Sequence, residues 1–358
     1  MIKKTRVLHV LNTGSYSGAE NVVITLINHM KLKYDLDFAY ASPRGTIEKV
    51  LEKNNILYFP IDECNSIYNH SIKKVVKQFK PDIVHAHDFR ASIVCAFSRL
   101  KTPIISHLHN NSPWIKKYGI LSYLYLVSTI KYKKILLVSN AINKEYVFSR
   151  FINNKMITIG NPIDIELVRK KATEKEIKEE FDVIFLGRLS LQKNPVRFIN
   201  IISKLKEKKS KLKVAMVGNG ELEKECKRKI KELSLENTIK MFGFMENPYP
   251  ILKNSKVLCM TSNWEGYGLV AVEALALGVP VVTTSVGGLR DIVTNQCGLI
   301  CRNNIEFITE MGRIVIEDDY QVKKANGALE RIIDISNIQD YCKNLLLVYK
   351  EIKMKVCM

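Results

Sequence analysis

None of the eight cysteines stands in a C-x-x-C pair, no apolar run nears the ~18 residues a membrane-spanning helix needs, and acidic residues fall well short of basic ones. Each shortage excludes something. Scattered cysteines (Cys64, Cys95, Cys226, Cys259, Cys297, Cys301, Cys342, Cys357) give zinc or dithiol chemistry no scaffold, and even the nearest pair, Cys297 and Cys301, reads as structural. A reducing, cytoplasmic compartment is expected. The opening MIKKTRVLHVLNTG breaks at Asn12 and Gly14, too early for a secretory signal, so it reads as a first strand of a soluble or membrane-peripheral protein. No Lys/Arg run is interleaved with aromatics and no finger-like or RNP-like pattern occurs, so no nucleic-acid partner is expected.

What is present is positive charge and α/β patterning. The net charge is +19, and residues 1–165 hold 23 Lys and Arg against 11 Asp and Glu, so the N-terminal half is the more basic. Phosphorylated substrates and anionic lipid suit such an excess; so does a basic composition with no functional meaning. The chain of 358 residues exceeds the usual reach of one hydrophobic core. Short apolar runs alternate with Lys/Glu-bearing amphipathic segments, the signature of parallel sheets covered by helices. Strands are expected at 6–11, 36–41, 56–61, 83–87, 104–109, 135–139 and 156–159, and again at 183–186, 213–217, 239–242, 257–261, 281–284 and 299–301. The two series predict two Rossmann-like doubly wound domains facing a cleft, residues 1–165 and 166–337, with the charged run ELVRKKATEKEIKEE as linker. Residues 338–358 have helical spacing, and that last helix can lie on either domain, crossing back to the first or staying with the second.

Ligands of such sheets collect where strands run into helix N-termini with free amides. Three loops qualify. Gly14-Ser15-Tyr16-Ser17-Gly18-Ala19-Glu20 follows the first strand; its glycines permit close backbone approach to a phosphate or sugar, or simply a tight turn. Gly187-Arg188-Leu189-Ser190-Leu191-Gln192-Lys193 sets two cations beyond a strand, where they would neutralise a diphosphate unless they are merely solvated. The third, TSNWEGYGLVAVEALALGVPVVTTSVGG, runs a strand into Gly266-Tyr267-Gly268 and a helix over 269–277, aiming the amides near Gly268, Leu269 and Val270 at an anion. Glu265 precedes that helix. Glu273 lies a turn inside it among apolar residues, where a carboxylate is costly unless hydrogen-bonded.

These motifs resemble the retaining glycosyltransferases of the GT-B fold, glycosyltransferase family 4. Glu265 and Glu273 match the family's E-x7-E signature, Gly187, Arg188 and Lys193 its GR…K element, and Gly287-Gly288 its later glycine pair; Gly14 and Ser17–Glu20 match its N-terminal loop. Asn161–Asp164 resembles the N-G-I-D hinge, with Pro162 replacing glycine. His109 matches the histidine of T-x-H-D, with Ser106 and Asn110 in place of Thr and Asp. The resemblance implies a donor nucleotide sugar, expected to be UDP-linked, carrying a hexose or N-acetylhexosamine to a lipid-linked or cell-surface polysaccharide acceptor. Glu273 would hold the ribose, Glu265 the transferred sugar, and Arg188 with Lys193 the diphosphate. The base would pack near Gly218-Asn219-Gly220 and Phe242-Gly243-Phe244; Gly14 and Gly18 would line the donor side, and Gly18 and His87 the acceptor side. His85 and His87 would shape the wall. His109, Glu265, Arg188 and Lys193 are the expected catalytic set, with no cofactor and no metal, because the lone D-x-D string, Asp35-Leu36-Asp37, opens a strand far from the donor motifs. An epimerase on the same scaffold and a non-catalytic binding protein are the competing readings. Segment 114–134, WIKKYGILSYLYLVSTIKYKK, suits both an anionic membrane surface and a buried helix.

Overall fold

Strands such as Ile83–His87 and Ile104–Leu108 are buried at every residue, the mark of a parallel sheet covered on both faces by helices. The computed structural model describes residues 4–63, 69–335 and 337–357. Their strands are β1 (Thr5–Val10), β2 (Leu36–Ser42), β3 (Leu57–Pro60), β4 (Ile83–His87), β5 (Ile104–Leu108), β6 (Tyr132–Leu137), β7 (Met156–Thr158), β8 (Phe181–Leu186), β9 (Val214–Val217), β10 (Ile239–Gly243), β11 (Ser255–Met260), β12 (Val281–Thr284) and β13 (Gly298–Cys301). Each coincides with an expected run to within a few residues. They form two all-parallel sheets in two units, the first comprising the chain up to Pro162 together with Ile338–Met358, the second Ile163–Asn337.

In the first unit the strand order is β3-β2-β1-β4-β5-β6-β7, so the winding reverses between β1 and β4. The helix Ile338–Cys357 packs here: Tyr341, Leu345, Tyr349 and Ile352, at helical spacing, share a core with Val7, Met30, Ile83 and Ile105. In the second unit the order is β10-β9-β8-β11-β12-β13, with the reversal between β8 and β11. Its sheet is covered on both faces by apolar clusters, one centred on Ile184, Leu258 and Leu275, the other on Val183, Phe198 and Phe307.

The expected linker needs correction. Asp164 caps a helix over Ile165–Lys171 by accepting from Leu167 N at 2.9 Å, and Val168 of that helix enters the second unit's core. The division therefore falls after Pro162 rather than after residue 165, and the charged run begins as a packed helix. Six cysteines are buried without a disulfide, Cys297 and Cys301 among them; Cys64 lies outside the described residues. No described helix is long and apolar enough to cross a membrane.

Candidate functional site

Where strand order reverses, the loops leaving the two central strands part in opposite directions and open a crevice at the carboxyl edge. In the second unit that place lies between β8 and β11, and the loops that follow those strands are latched together. Asn263 N donates to Gln192 O at 2.8 Å, Asn263 Nδ2 to Leu191 O at 2.7 Å, Gln192 Nε2 to Trp264 O at 3.1 Å, and Thr261 Oγ1 to Asn194 O at 2.9 Å. The latch delivers Lys193 to Glu265. Lys193 Nζ donates to Glu265 Oε1 at 2.5 Å, and Ser262 Oγ donates to the same oxygen at 2.7 Å. Glu265 is 6% exposed and Lys193 18%, so the pair is largely removed from water. The aliphatic stem of Lys193 lies against Gly187, and a side chain at Gly287, whose φ is +53°, would place its Cβ 1.8 Å from the Glu265 carbonyl oxygen. Only glycine tolerates both that φ and that approach.

The two expected cations are therefore unequal. Lys193 is committed to Glu265, whereas Arg188 is exposed and its guanidinium has no hydrogen-bond or ion-pair partner among the described residues. The helix Leu269–Ala276 starts at Gly268, whose φ of +101° makes the turn, and no side chain caps its first-turn amides. Tyr267, Leu269 and Val270 pack their side chains on the core. Glu273, partly exposed, accepts from Tyr249 Oη at 3.0 Å; desolvation raises its pKa, while Tyr249, Lys171 and Lys193 pull it down. Gly218 donates its amide to Gly243 O at 2.7 Å and lies against Gly187, gathering the ends of β8, β9 and β10, with Asn219 and Phe244 exposed beside them.

At the first unit's reversal the edge carries a cluster of histidines. His9 (β1), His85 and His87 (β4) and His107 and His109 (β5 and just beyond) lie in hydrogen-bonded rows. His9 Nδ1 pairs with His87 Nε2 at 2.8 Å, His87 Nδ1 with His109 Nε2 at 2.8 Å, His85 Nε2 with His107 Nδ1 at 3.2 Å, and His85 Nδ1 with Tyr349 Oη at 2.7 Å. Burial lowers all five pKa values, to about 3 for His9 and about 4 for His109, with the other histidines adding repulsion and Asn161 opposing it at His109. The row is neutral. Asp88 Oδ1 accepts from His109 N at 2.8 Å, and burial lifts the Asp88 pKa to about 6. Two histidine trios bring one nitrogen each within 4.8 Å, the donor density a metal requires. Yet contacts of 2.8 Å are hydrogen-bond distances, shorter than the ~3.3 Å between two nitrogens on one tetrahedral zinc.

Near this edge, the loop holding Gly14 closes on its own chain: a Cβ there would meet Arg44 O at 2.1 Å. Gly18 opens the helix Gly18–Lys33, and Ser17 Oγ donates to the buried Glu20 at 2.5 Å. Asp35 and Asp37 lie at the opposite, amino end of β2. The sequence reading singled out His109, His87 and His85 but passed over His9 and His107. A signal for His107 was there, since H-x-H at 85–87 and again at 107–109 puts each pair on one face of its strand.

Two family models match the chain in series, "Glycosyltransferase Family 4" over residues 16–167 and "Glycosyl transferases group 1" over residues 168–331. An uncharacterised glycosyltransferase of Methanocaldococcus jannaschii is 30% identical over 270 residues, 69% of this chain and 66% of that protein. A Campylobacter jejuni enzyme, named as an alpha-1,4-N-acetyl-D-galactosaminyltransferase acting on GalNAc-alpha-(1->4)-GalNAc-alpha-(1->3)-diNAcBac-PP-undecaprenol, is 25% identical across 98% of this chain and 99% of its own. Among solved structures, Anabaena HepE in complex with UDP and glucose superposes with a TM-score of 0.84 over 97% of this chain and 100% of that one, at 18% identity, which establishes the shared GT-B fold.

Proposed function

The chain belongs to glycosyltransferase family 4, and on that premise we propose that it transfers a hexose or N-acetylhexosamine, with retention, from a UDP-sugar to a lipid-linked or cell-surface polysaccharide acceptor. The Campylobacter relative, whose named substrate is linked through diphosphate to undecaprenol, supports the acceptor class, and the UDP held by the fold's neighbour supports the nucleotide. The observation that carries the reading is Arg188, a cation without a counter-ion, in the loop that also delivers Lys193 to Glu265, at an edge where an uncapped helix begins.

Breaking the sugar–phosphate bond leaves negative charge on the diphosphate. In this reading Arg188 forks onto it, the amides of Leu269 and Val270 meet it, and Lys193 serves both it and Glu265. Glu265, held by Ser262 and Lys193, accepts from hydroxyls of the transferred sugar. Glu273 takes the ribose hydroxyls, Asn219 and Phe244 flank the base, and neutral His109 serves the reacting sugar. Gly18 faces the acceptor, whose hydroxyl gives its proton to the departing diphosphate on the same face; His87, buried with both ring nitrogens bonded to His9 and His109, orients His109 instead of touching the acceptor. The protein's cations and amides do the electrostatic work of a divalent ion, so turnover without metal is expected; loss on EDTA treatment with recovery by Mn²⁺ contradicts it.

Thermal denaturation against UDP-, GDP- and ADP-sugars tests the donor: the UDP-sugar raises Tm and Arg188→Ala abolishes the rise. Turnover of that variant falls by roughly 10²–10³, the usual cost of one donor to a developing anion. NMR of the product reads its anomeric configuration. A variant that turns over normally, or a protein that no nucleotide sugar stabilises, defeats the reading.

A further inference from the structure

The helix Ile120–Ser128 is built inside out. Its serines face the protein and much of its apolar side faces away: Ser122 and Ser128 are buried, while Ile120, Leu121, Tyr123 and Val127 are exposed. The buried hydroxyls are satisfied. Ser122 Oγ donates to Trp114 O and to Lys117 O at 2.8 Å, Ser128 Oγ to Tyr125 O at 2.6 Å, and Tyr132 Oη to Ser128 Oγ at 2.7 Å. A helix on a watery surface puts its polar side outward. Here Ile120 is 80% exposed and Ile130, just past the helix, 76%. A contiguous apolar face of this kind marks an interaction site.

Charge at both ends of the face says what covers it. Lys117, exposed, and Lys116, which also pairs with Glu145 at 3.1 Å, precede the helix. At its far end a pocket of about 420 Å³ is lined by Lys101, Lys131, Lys133 and Lys155 beside Ile130, and no acidic residue lines it. Lys155 donates to Thr129 O at 2.8 Å, burial and the charge of Lys133 lower its pKa, and none of the pocket's lysines forms an ion pair among the described residues. It sits at the amino ends of β5 and β6, whereas His109 follows the carboxyl end of β5. Apolar residues between clustered lysines, with an open basic pocket at one end, complement lipid headgroups over acyl chains rather than a protein partner.

We propose that the outer face of the helix Ile120–Ser128, together with the lysine pocket at its C-terminal end, seats the first unit on an anionic lipid bilayer. The proposal deepens the lipid-linked reading of the acceptor but does not depend on the transfer reaction. The full chain is floated with phosphatidylcholine vesicles, with and without phosphatidylglycerol. Binding is expected only with the anionic lipid and falls at high salt. Replacing Lys131 and Lys133 together by Ala weakens it roughly thirtyfold, and Ile120→Ser with Ile130→Ser weakens it by at least tenfold. All four positions are exposed, and a Tm equal to that of the parent shows the fold intact. Transfer to a water-soluble acceptor analogue stays unchanged in these variants, which separates failure of docking from failure of the enzyme reading. Equal binding to both vesicle types, unweakened variants, inorganic phosphate displacing the protein at millimolar concentration, or a dimer in light scattering that Ile120→Ser dissolves would each overturn the proposal.

Discussion

The two units solve the same topological problem with opposite electrostatics. Each gathers its polar residues at the reversal in strand order, yet one holds five uncharged imidazoles packed ring on ring and the other an ion pair with a spare guanidinium. Burial explains the difference. Four of the histidines project from strands within a sheet covered on both sides, where a charge is too costly, and with His109 just beyond β5 they bond one another through at least one ring nitrogen each. Lys193 and Glu265 come from loops beyond the strand ends, where Lys193 keeps contact with water.

The contrast breaks most sharply at Lys193. Lys193→Met strands a carboxylate that is 6% exposed, and a loss of about 3 kcal/mol in the second unit is expected. Glu265→Gln in the same chain restores much of it, which denaturant titration of the two variants reads directly; no recovery would show that the pair does not govern this edge. Acid sharpens the comparison next. The five histidines have folded pKa values depressed below 6.5, so the unfolded chain binds more protons below about 6.5, down to about 3 for His9 and about 4 for His109. The stability they contribute is complete above that window and lost as pH falls through it, at about 1.4 kcal/mol per pH unit for each group inside it. Asp88, raised to about 6, and Glu20, also raised, oppose this slope but are outnumbered. In the second unit Glu273 is raised, so its contribution runs the other way and fades as pH rises. Hydrogen exchange from pH 7 to 5 should show the first unit losing protection while the second holds; parallel loss removes the distinction. The smallest effect is local. Asn303 caps the helix Asn304–Ile316 by accepting from Glu306 N at 3.0 Å, and Asn303→Ala should cost the second unit about 1 kcal/mol and leave the first untouched by the same exchange measurement.

Much of this was legible in the residues, because strand positions depend on local pattern. Every expected strand appears, and the Glu265–Lys193 partnership joins two motifs that the sequence had already singled out. Strand order was not legible. Which strands flank each reversal follows from non-local pairing, and for that reason His9, isolated in sequence, gave no hint that it would bond His87. Segment 114–134 defeated a choice between core and surface because both hold: Tyr125 is fully buried while Ile120 on the same helix is nearly bare. The charged run after Asp164 looked like a linker because one buried residue, Val168, anchors its helix.

The bond between His85 and Tyr349 spans 264 positions of the chain, while the second unit is uninterrupted between Ile163 and Asn337. Synthesis from the N-terminus therefore completes the later unit first, and the earlier one waits, its apolar face over Val7, Ile83 and Ile105 uncovered, until the closing helix emerges. A chain stopped before Ile338 should retain a folded second half joined to a first half prone to aggregate, which makes the last helix the point at which newly made protein becomes safe from its own stickiness.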